Sequence, residues 1–345
     1  DIEKAQAIYN WVQQNLHYVA FENGMGGFIP REAADVYSKL YGDCKDMANL
    51  LNEMLKYANL NSSLTWIGTR IKPYTYEEVP TPQVDNHMIT NLVIDGKSYF
   101  LDATDKFCPF TLPTSHIQGK EALIGKAENF VIEKVPVISA SENRTTIKLD
   151  LKLENNALKG TVVTTIEGYA KSELLNILSI YPQKQKEIWR NIINNTNPKI
   201  NLEAIELLGN EYKNIPSRAT FNLQLNDAIK DINGKLLLKP IFIFPLKDLQ
   251  IDSEKRKYPV QYEYNYSYEM EYQYEIPKEY KIEFLPENLK TETDLGTFDI
   301  QYNVQNNFVL VTQKVSTKKL LLEKADFEKW NAFLKSLNKQ YNQSL

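Results

Sequence analysis

Cysteine is scarce in this chain. Only Cys44 and Cys108 occur among 345 residues, and two thiols without close spacing make neither a disulfide framework nor a zinc site. A Cys44–Cys108 bridge would sacrifice the better nucleophile of the two. Histidine is hardly more abundant. His17, His87 and His116 are too few to signal a metal cluster, so no metal and no organic cofactor is expected. No apolar run approaches the ~20 residues of a membrane-spanning helix. No basic stripe or polybasic tail is present, which removes nucleic acid and anionic membrane surfaces from the expected partners. Internal repeats and low-complexity tracts are absent too. What remains is 43% hydrophobic and 24% charged residues with a formal net charge of −4, an ordinary globular make-up. The length allows two or three domains with cores of their own. The chain opens at Asp1 inside a helical pattern, so the expectation is a mature or excised fragment with an upstream domain missing.

The most informative stretch is Tyr41-Gly42-Asp43-Cys44-Lys45-Asp46. Gly42 permits a sharp approach of backbone. Asp43 is a strong N-cap residue, and Asp46 three positions later completes the pattern of a capping box. Met47, Leu50, Leu51, Met54, Leu55 and Ala58 then recur on one helical face. Cys44 therefore falls in the first turn, beside free N–H groups and the positive end of the helix dipole, a setting that suits negative charge on sulfur. The plain alternative is a small buried residue at a helix start.

Upstream, residues 1–19 read as a helix with Ile2, Ala5, Tyr9, Val12 and Leu16 on one stripe. Gln13 and Gln14 read as exposed, and His17 as a cation at the helix end. Residues 20–31 form a glycine-containing loop that lacks phosphate-loop spacing, a candidate rim beside a cleft. A short helix from about 31 to 40 follows. Beyond the Cys44 helix, 63–70 reads as a strand, and the irregular segment 72–86 as a lid or substrate rim.

The second informative stretch runs from Asn86 to Thr104. Two β-prone runs flank Asp95-Gly96, the signature of a two-residue type I′ turn. Ile94 then faces Lys97, and paired residue numbers sum to 191. His87 faces Thr104, and Asp102 shares its face, roughly 7–8 Å away on the diagonal. An imidazole oriented by a carboxylate and able to take a thiol proton is the equipment of nucleophilic catalysis. The plain alternative is a His–Asp pair that only stabilises the hairpin. Cys108, in a loop beside Pro109, reads as structural, and His116 receives no role.

At these residues the chain resembles the transglutaminase-like superfamily, whose core is papain-like. Gly42-Asp43-Cys44, His87 and Asp102 match its three motif positions, and Pro30-Arg31-Glu32-Ala33-Ala34 and Tyr41 to Asp46 are similar to its bacterial branch. The resemblance covers roughly residues 1–125. It implies Cys44 as nucleophile, His87 as general base and acid, and Asp102 as the orienting carboxylate, acting on a peptide or protein substrate. By analogy with a glutamine upstream of the cysteine in papain-like enzymes, Gln13 is the candidate side-chain oxyanion donor beside the Cys44 N–H. Lys45 departs from the animal enzymes, which carry tryptophan there, so their crosslinking activity is not carried over. The resemblance also suggests a periplasmic or cell-surface setting.

From about residue 143 the texture changes. Strands are expected at 145–153 and 159–167, helices over 169–195 with a break near Pro182, and strands at 200–207, 218–225 and 235–243. Between 261 and 276 every even position is Tyr, Met or Ile and every odd one polar, which means one long amphipathic strand or a tight pair. Its tyrosine face is expected to pack against protein, with sugar stacking as the alternative. Strands at 280–284, 297–304 and 307–314 and a helix from about 325 to 341 complete the chain. The expected fold class is α+β: a papain/transglutaminase-like domain over 1–140, then a mostly antiparallel β-sandwich domain over 141–345 with a helical insertion and a C-terminal helix. The expected function is cysteine-dependent acyl transfer on peptide or amide bonds through a thioester. The rival is a non-enzymatic envelope scaffold with a vestigial domain, which a cleft blocked by 72–86 would favour.

Overall fold

The computed structural model describes residues 1–20, 24–154, 156–195, 197–208 and 217–345. The chain divides into two compact units, Asp1–Ile138 and Ser139–Leu345. In the first, α1 (Ile2–Asn15) buries Ala5, Tyr9, Val12 and Gln13. It ends earlier than its apolar stripe suggests, because Leu16 turns extended. His17 and Tyr18 then form a short strand, β1 (His17–Tyr18), parallel to β2 (Tyr41–Gly42). His17 is thus a strand residue and not a helix terminus. Between them lies α2 (Ala33–Lys39), closed by Leu40 in the left-handed region.

The central helix α3 (Cys44–Tyr57) buries Met47, Leu50, Leu51 and Leu55, the face its sequence period predicts. It packs on an antiparallel five-stranded sheet of β3 (Asn61–Ile67), β4 (His87–Ile94), β5 (Lys97–Leu101), β6 (Glu121–Lys126) and β7 (Asn129–Lys134), in the order β5-β4-β3-β6-β7. One face of the sheet joins α1 and α3 in a core that includes Tyr9, Leu51 and Leu92. The other holds a smaller core of Ile67, Ile89, Phe100, Ile117, Ala122, Ile124 and Val135. The β6–β7 hairpin is not legible in sequence. Its loop is Ala127-Glu128, and Ala127 takes a positive φ of 54° that alanine rarely advertises.

The second unit is built on β8 (Arg144–Glu154), β9 (Ala157–Ile166), β10 (Ile200–Leu208), β11 (Arg218–Leu225), the small hairpin β12 (Ile229–Ile232) and β13 (Lys235–Leu238), β14 (Val260–Gln261), β15 (Ser267–Glu275), β16 (Leu289–Glu292), β17 (Gly296–Gln305), β18 (Phe308–Thr317) and β19 (Leu321–Leu322). Helices α4 (Gly168–Ile180) and α5 (Gln185–Asn194) break at Pro182 as expected, and α6 (Phe327–Tyr341) closes the chain. The α+β class therefore holds. The strands that a sandwich would divide over two sheets are joined in one eight-stranded ladder, β10-β11-β9-β8-β15-β18-β17-β16. Its continuity rests on the parallel pairing of β15 with β8, inside an otherwise antiparallel sheet. Alternate residues of β8 are buried, so one face carries the core, which includes Trp330 and Phe333 of α6.

The tyrosine alternation resolves into two separate strands. Only Val260–Gln261 pairs with β19, and the long ladder begins at Ser267. Tyr272 and Tyr274 are fully buried, and the Tyr274 hydroxyl donates to Pro240 O (2.6 Å). Buried hydroxyls need such partners, so this face packs against protein. The expected strand at 280–284 does not form. Pro277 and Pro286 bracket it, and proline withholds the ladder's N–H.

Candidate active site

Gly42 brings the chain close to the start of α3. A Cβ there would lie 2.5 Å from the Asp46 Cβ, so only glycine fits. The Asp43 carboxylate accepts from Lys45 N (3.0 Å) and Asp46 N (3.3 Å), while Asp46 accepts from Asp43 N (3.2 Å). The capping box is therefore complete on both sides. Arg31 braces it from outside, with its backbone N–H and Nε on the two oxygens of Asp46 (2.8 and 2.9 Å). Lys45 and Asp43 form a buried ion pair behind the turn. Cys44, the first residue of α3, is thereby fixed at the helix N-terminus with 8% of its surface exposed.

The neighbouring strand delivers the histidine. The Thr90 hydroxyl donates to Ala48 O (2.9 Å), tying β4 to α3 one turn past Cys44. His87, three residues earlier on β4, comes close enough to Cys44 for the thiol to favour the charged form of the imidazole. The hairpin has the predicted register, from Ile94↔Lys97 to Thr90↔Leu101, with Asp95 and Gly96 at φ 49° and 77°, as a type I′ turn requires. The ladder stops at Leu101, and His87 pairs instead with Ile67 of β3. Asp102 follows at once, and His87 Nε2 donates to its Oδ2 (2.8 Å).

Asp102 is 2% exposed and richly solvated by protein. Its Oδ1 accepts from the Thr104 N–H (3.1 Å) and hydroxyl (2.7 Å). Its Oδ2 also accepts from the Thr114 hydroxyl (2.8 Å) and lies 3.4 Å from His116 Nε2. Burial alone would raise the Asp102 carboxyl, but the His87 charge and the bonds from both histidines hold it well below the usual carboxylate range. Burial likewise works against charge on His87. Asp102, with a smaller contribution from Cys44, outweighs it and lifts the imidazole to about 10.

Thr114 and His116 are partners of Asp102 that sequence reading passes over. They sit in a loop with no periodic pattern, and only the tertiary fold carries them to Asp102. The His116 ring meets His87 edge-on at 5.3 Å between centroids. His87, Asp102 and His116 together offer ligand atoms within 4.8 Å of one another, although here those atoms are bonded to each other.

Gln13 requires a correction. Its Nε2 donates to Asp105 O (2.6 Å) and Cys108 O (3.0 Å), so both amide hydrogens are committed to the 105–108 loop and none is left for an oxyanion. Gln13→Ala is expected to cost ~1–3 kcal/mol of stability, the penalty of orphaning buried acceptors. Turnover should change only a few-fold, against the ~10²–10³ of a lost oxyanion donor. Denaturant midpoints beside kcat separate the two. Cys108 is fully buried and free. Burial, aided by the charges of Asp105 and Asp102, pushes its thiol well up, which makes it inert.

A cleft of 740 Å³ opens onto Cys44, with Phe28, Trp66, Tyr76, Asp85 and Phe130 among its lining. Both expected rims contribute walls, Gly27 and Phe28 from one and Tyr76 to Asn86 from the other, while residues 21–23 of the first lie outside the described residues.

Residues 1–101 match the profile of the transglutaminase-like superfamily, and residues 234–345 that of a domain of unknown function with a solved structure, DUF3858. No curated protein sequence matches the chain. The crystal structure of a proposed protease from Parabacteroides distasonis superposes with a TM-score of 0.55 at 13% identity, over 99% of this chain and 51% of that one. The chain thus spans about half the length of that protein, and at this identity the likeness is one of fold. Residues 1–101 accordingly form a transglutaminase-like domain.

Proposed function

We propose that this protein is a cysteine-dependent acyl-transfer enzyme acting on peptide or amide bonds. The observation that carries the reading is the hydrogen-bonded His87–Asp102 pair close to Cys44, which itself lines an open cleft. The Cys44 sulfur attacks the carbonyl carbon, with His87 holding the thiol's proton. The Cys44 N–H at the helix start donates to the developing oxyanion. As the C–N bond breaks, His87 passes its proton to the leaving amine, and the acyl group stays on sulfur as a thioester. Water then attacks, its proton returning through His87, and the carboxylic acid leaves; an amine in place of water would give transfer. Asp102 keeps the imidazole turned and compensates its charge.

A cleft blocked by residues 72–86 would favour the rival scaffold reading. Residues 72–86 stand as a wall of the cavity and leave Cys44 facing it, which favours the enzyme. The fold neighbour's description as a protease accords with this. The test is incubation with a mixed peptide library, with mass spectrometry of products and of intact protein. New termini and an acyl adduct on Cys44 are expected from the wild type, and neither from Cys44→Ala. Equal product from both proteins would end the proposal.

A further inference from the structure

The sheet extends past the helix that covers it. Helix α3 packs on β3 and β4, while β6 and β7 continue outward beside the cleft. Registers place Trp66 opposite Leu123 and Leu123 opposite Ile132, so these three side chains form one cross-strand row on the same face. All three line the cleft with Cys44. In the next position of that face Phe130 pairs with Gly125, whose missing side chain leaves room beside the ring. Phe28 closes the cleft from the 20–31 loop. Phe28, Phe130 and Ile132 are 60%, 59% and 45% exposed, an apolar surface that folding leaves wet. Exposed apolar area of this kind, continuous with a cleft, marks a place where a ligand buries it.

The facing wall is built rather than loose. The Tyr76 N–H donates to Glu121 (2.7 Å), and Lys120 Nζ donates to Lys72 O (2.7 Å) and Tyr74 O (2.9 Å). These bonds pin the 72–86 loop to β6. The Tyr76 hydroxyl occupies Asp85 Oδ1, which leaves Oδ2 for an incoming donor. Burial raises the Asp85 carboxyl above its usual range, the behaviour of a carboxylate short of hydrogen bonds.

From the β4 strand that carries His87 to β7 is three strand spacings, roughly 14 Å. An extended peptide covers that distance in about four residues at ~3.3 Å each. We propose that this floor is the acyl-side subsite: it takes an extended peptide with bulky aromatic or branched apolar side chains up to about four residues before the attacked carbonyl, and Asp85 accepts a backbone N–H from it. The proposal rests on the acyl-transfer reading above and names its substrate class. A peptide is favoured over an acyl chain because the cleft carries a carboxylate that calls for an N–H.

The test uses N-acetyl tetrapeptidyl chloromethyl ketones with Phe, Leu, Gly or Glu at the residue farthest from the warhead, the one that reaches β7, and an acyl chloromethyl ketone of equal length. Inactivation rates are measured on the full chain, and Cys44 labelling is verified by mass spectrometry. The Phe and Leu probes should outpace Gly by about 10- to 100-fold, the ratio that burying such a side chain supports. Ile132→Lys, at an exposed edge position, should collapse that ratio to within about threefold, as should Phe130→Ser. Because the ratio is taken within each protein, a variant that is merely less active does not imitate the result. A Gly probe as fast as Phe, a Glu probe that is fastest, or an acyl chain ahead of every peptide would overturn the subsite. Iodoacetamide labelling of the wild type and of His87→Ala reads the thiol site separately. His87-dependent labelling without side-chain preference refutes the subsite alone, whereas labelling indifferent to His87 removes the reading beneath it.

Discussion

At pH 6, replacing His87 by alanine is expected to slow alkylation of Cys44 by iodoacetamide about 10- to 100-fold. A lone thiol near its ordinary value of ~8.5 is ionised to only about 1 part in 300 at that pH. Part of this factor returns, because a stabilised thiolate is intrinsically a weaker nucleophile. The wild type escapes the penalty through the imidazole. Burial pulls the His87 charge down, but Asp102 and then Cys44 pull it up further, to about 10. A cation therefore stands beside the sulfur across the whole physiological range. The advantage of the wild type over His87→Ala should grow as pH falls from 8 to 6. Parallel profiles would mean that His87 does not govern the thiol, and the scaffold reading would gain.

The second large effect falls on Asp102. Asp102→Ala removes a buried carboxylate that serves His87, Thr104 and Thr114 at once. Breaking a buried pair from one side costs ~3–5 kcal/mol, and loss of the orienting carboxylate in the comparable serine triad costs ~10⁴ in turnover. The pH dependence has a definite sign. Asp102 is depressed below 3.8, so its contribution is present above that value and fades as pH falls through the folded one. His87 is raised from 6.5 to about 10, so its contribution is complete below 6.5 and fades as pH climbs through about 10. The stability gap between wild type and Asp102→Ala should thus be widest between pH 4 and 6.5 and narrow toward pH 10. Urea midpoints at pH 5, 7.5 and 10 measure it, and a gap that widens with pH would contradict the assigned pair.

The chemistry-bearing elements were legible because each is written locally. A cap residue, its reciprocal partner three positions on and an apolar 3.6-residue period define the start of α3 without reference to the rest of the chain. Asp95-Gly96 sets the β4–β5 register from its own backbone preferences, although the ladder ends at Thr90↔Leu101 and the His87–Asp102 bond forms just beyond it. What the sequence could not declare depends on partners distant along the chain. Gln13 looked exposed on its helix, yet the 105–108 loop folds back and takes its amide. Thr114 and His116 reach Asp102 through a loop without period. The β6–β7 hairpin turns on an alanine with positive φ, and β15 joins β8 in parallel across more than a hundred residues.

The sequence by itself determined the Cys44 helix, the β4–β5 hairpin, the superfamily of residues 1–101 and the α+β class. Only the tertiary structure decided how Asp102 is saturated, that Gln13 is a strut, that the strands of the second unit share one ladder, and that an apolar cleft lies open beside Cys44. The physical reason is range. Caps, turns and periods are settled within a few residues, where backbone sterics and hydrogen bonds act. A cleft or a shared carboxylate exists only once distant segments have packed.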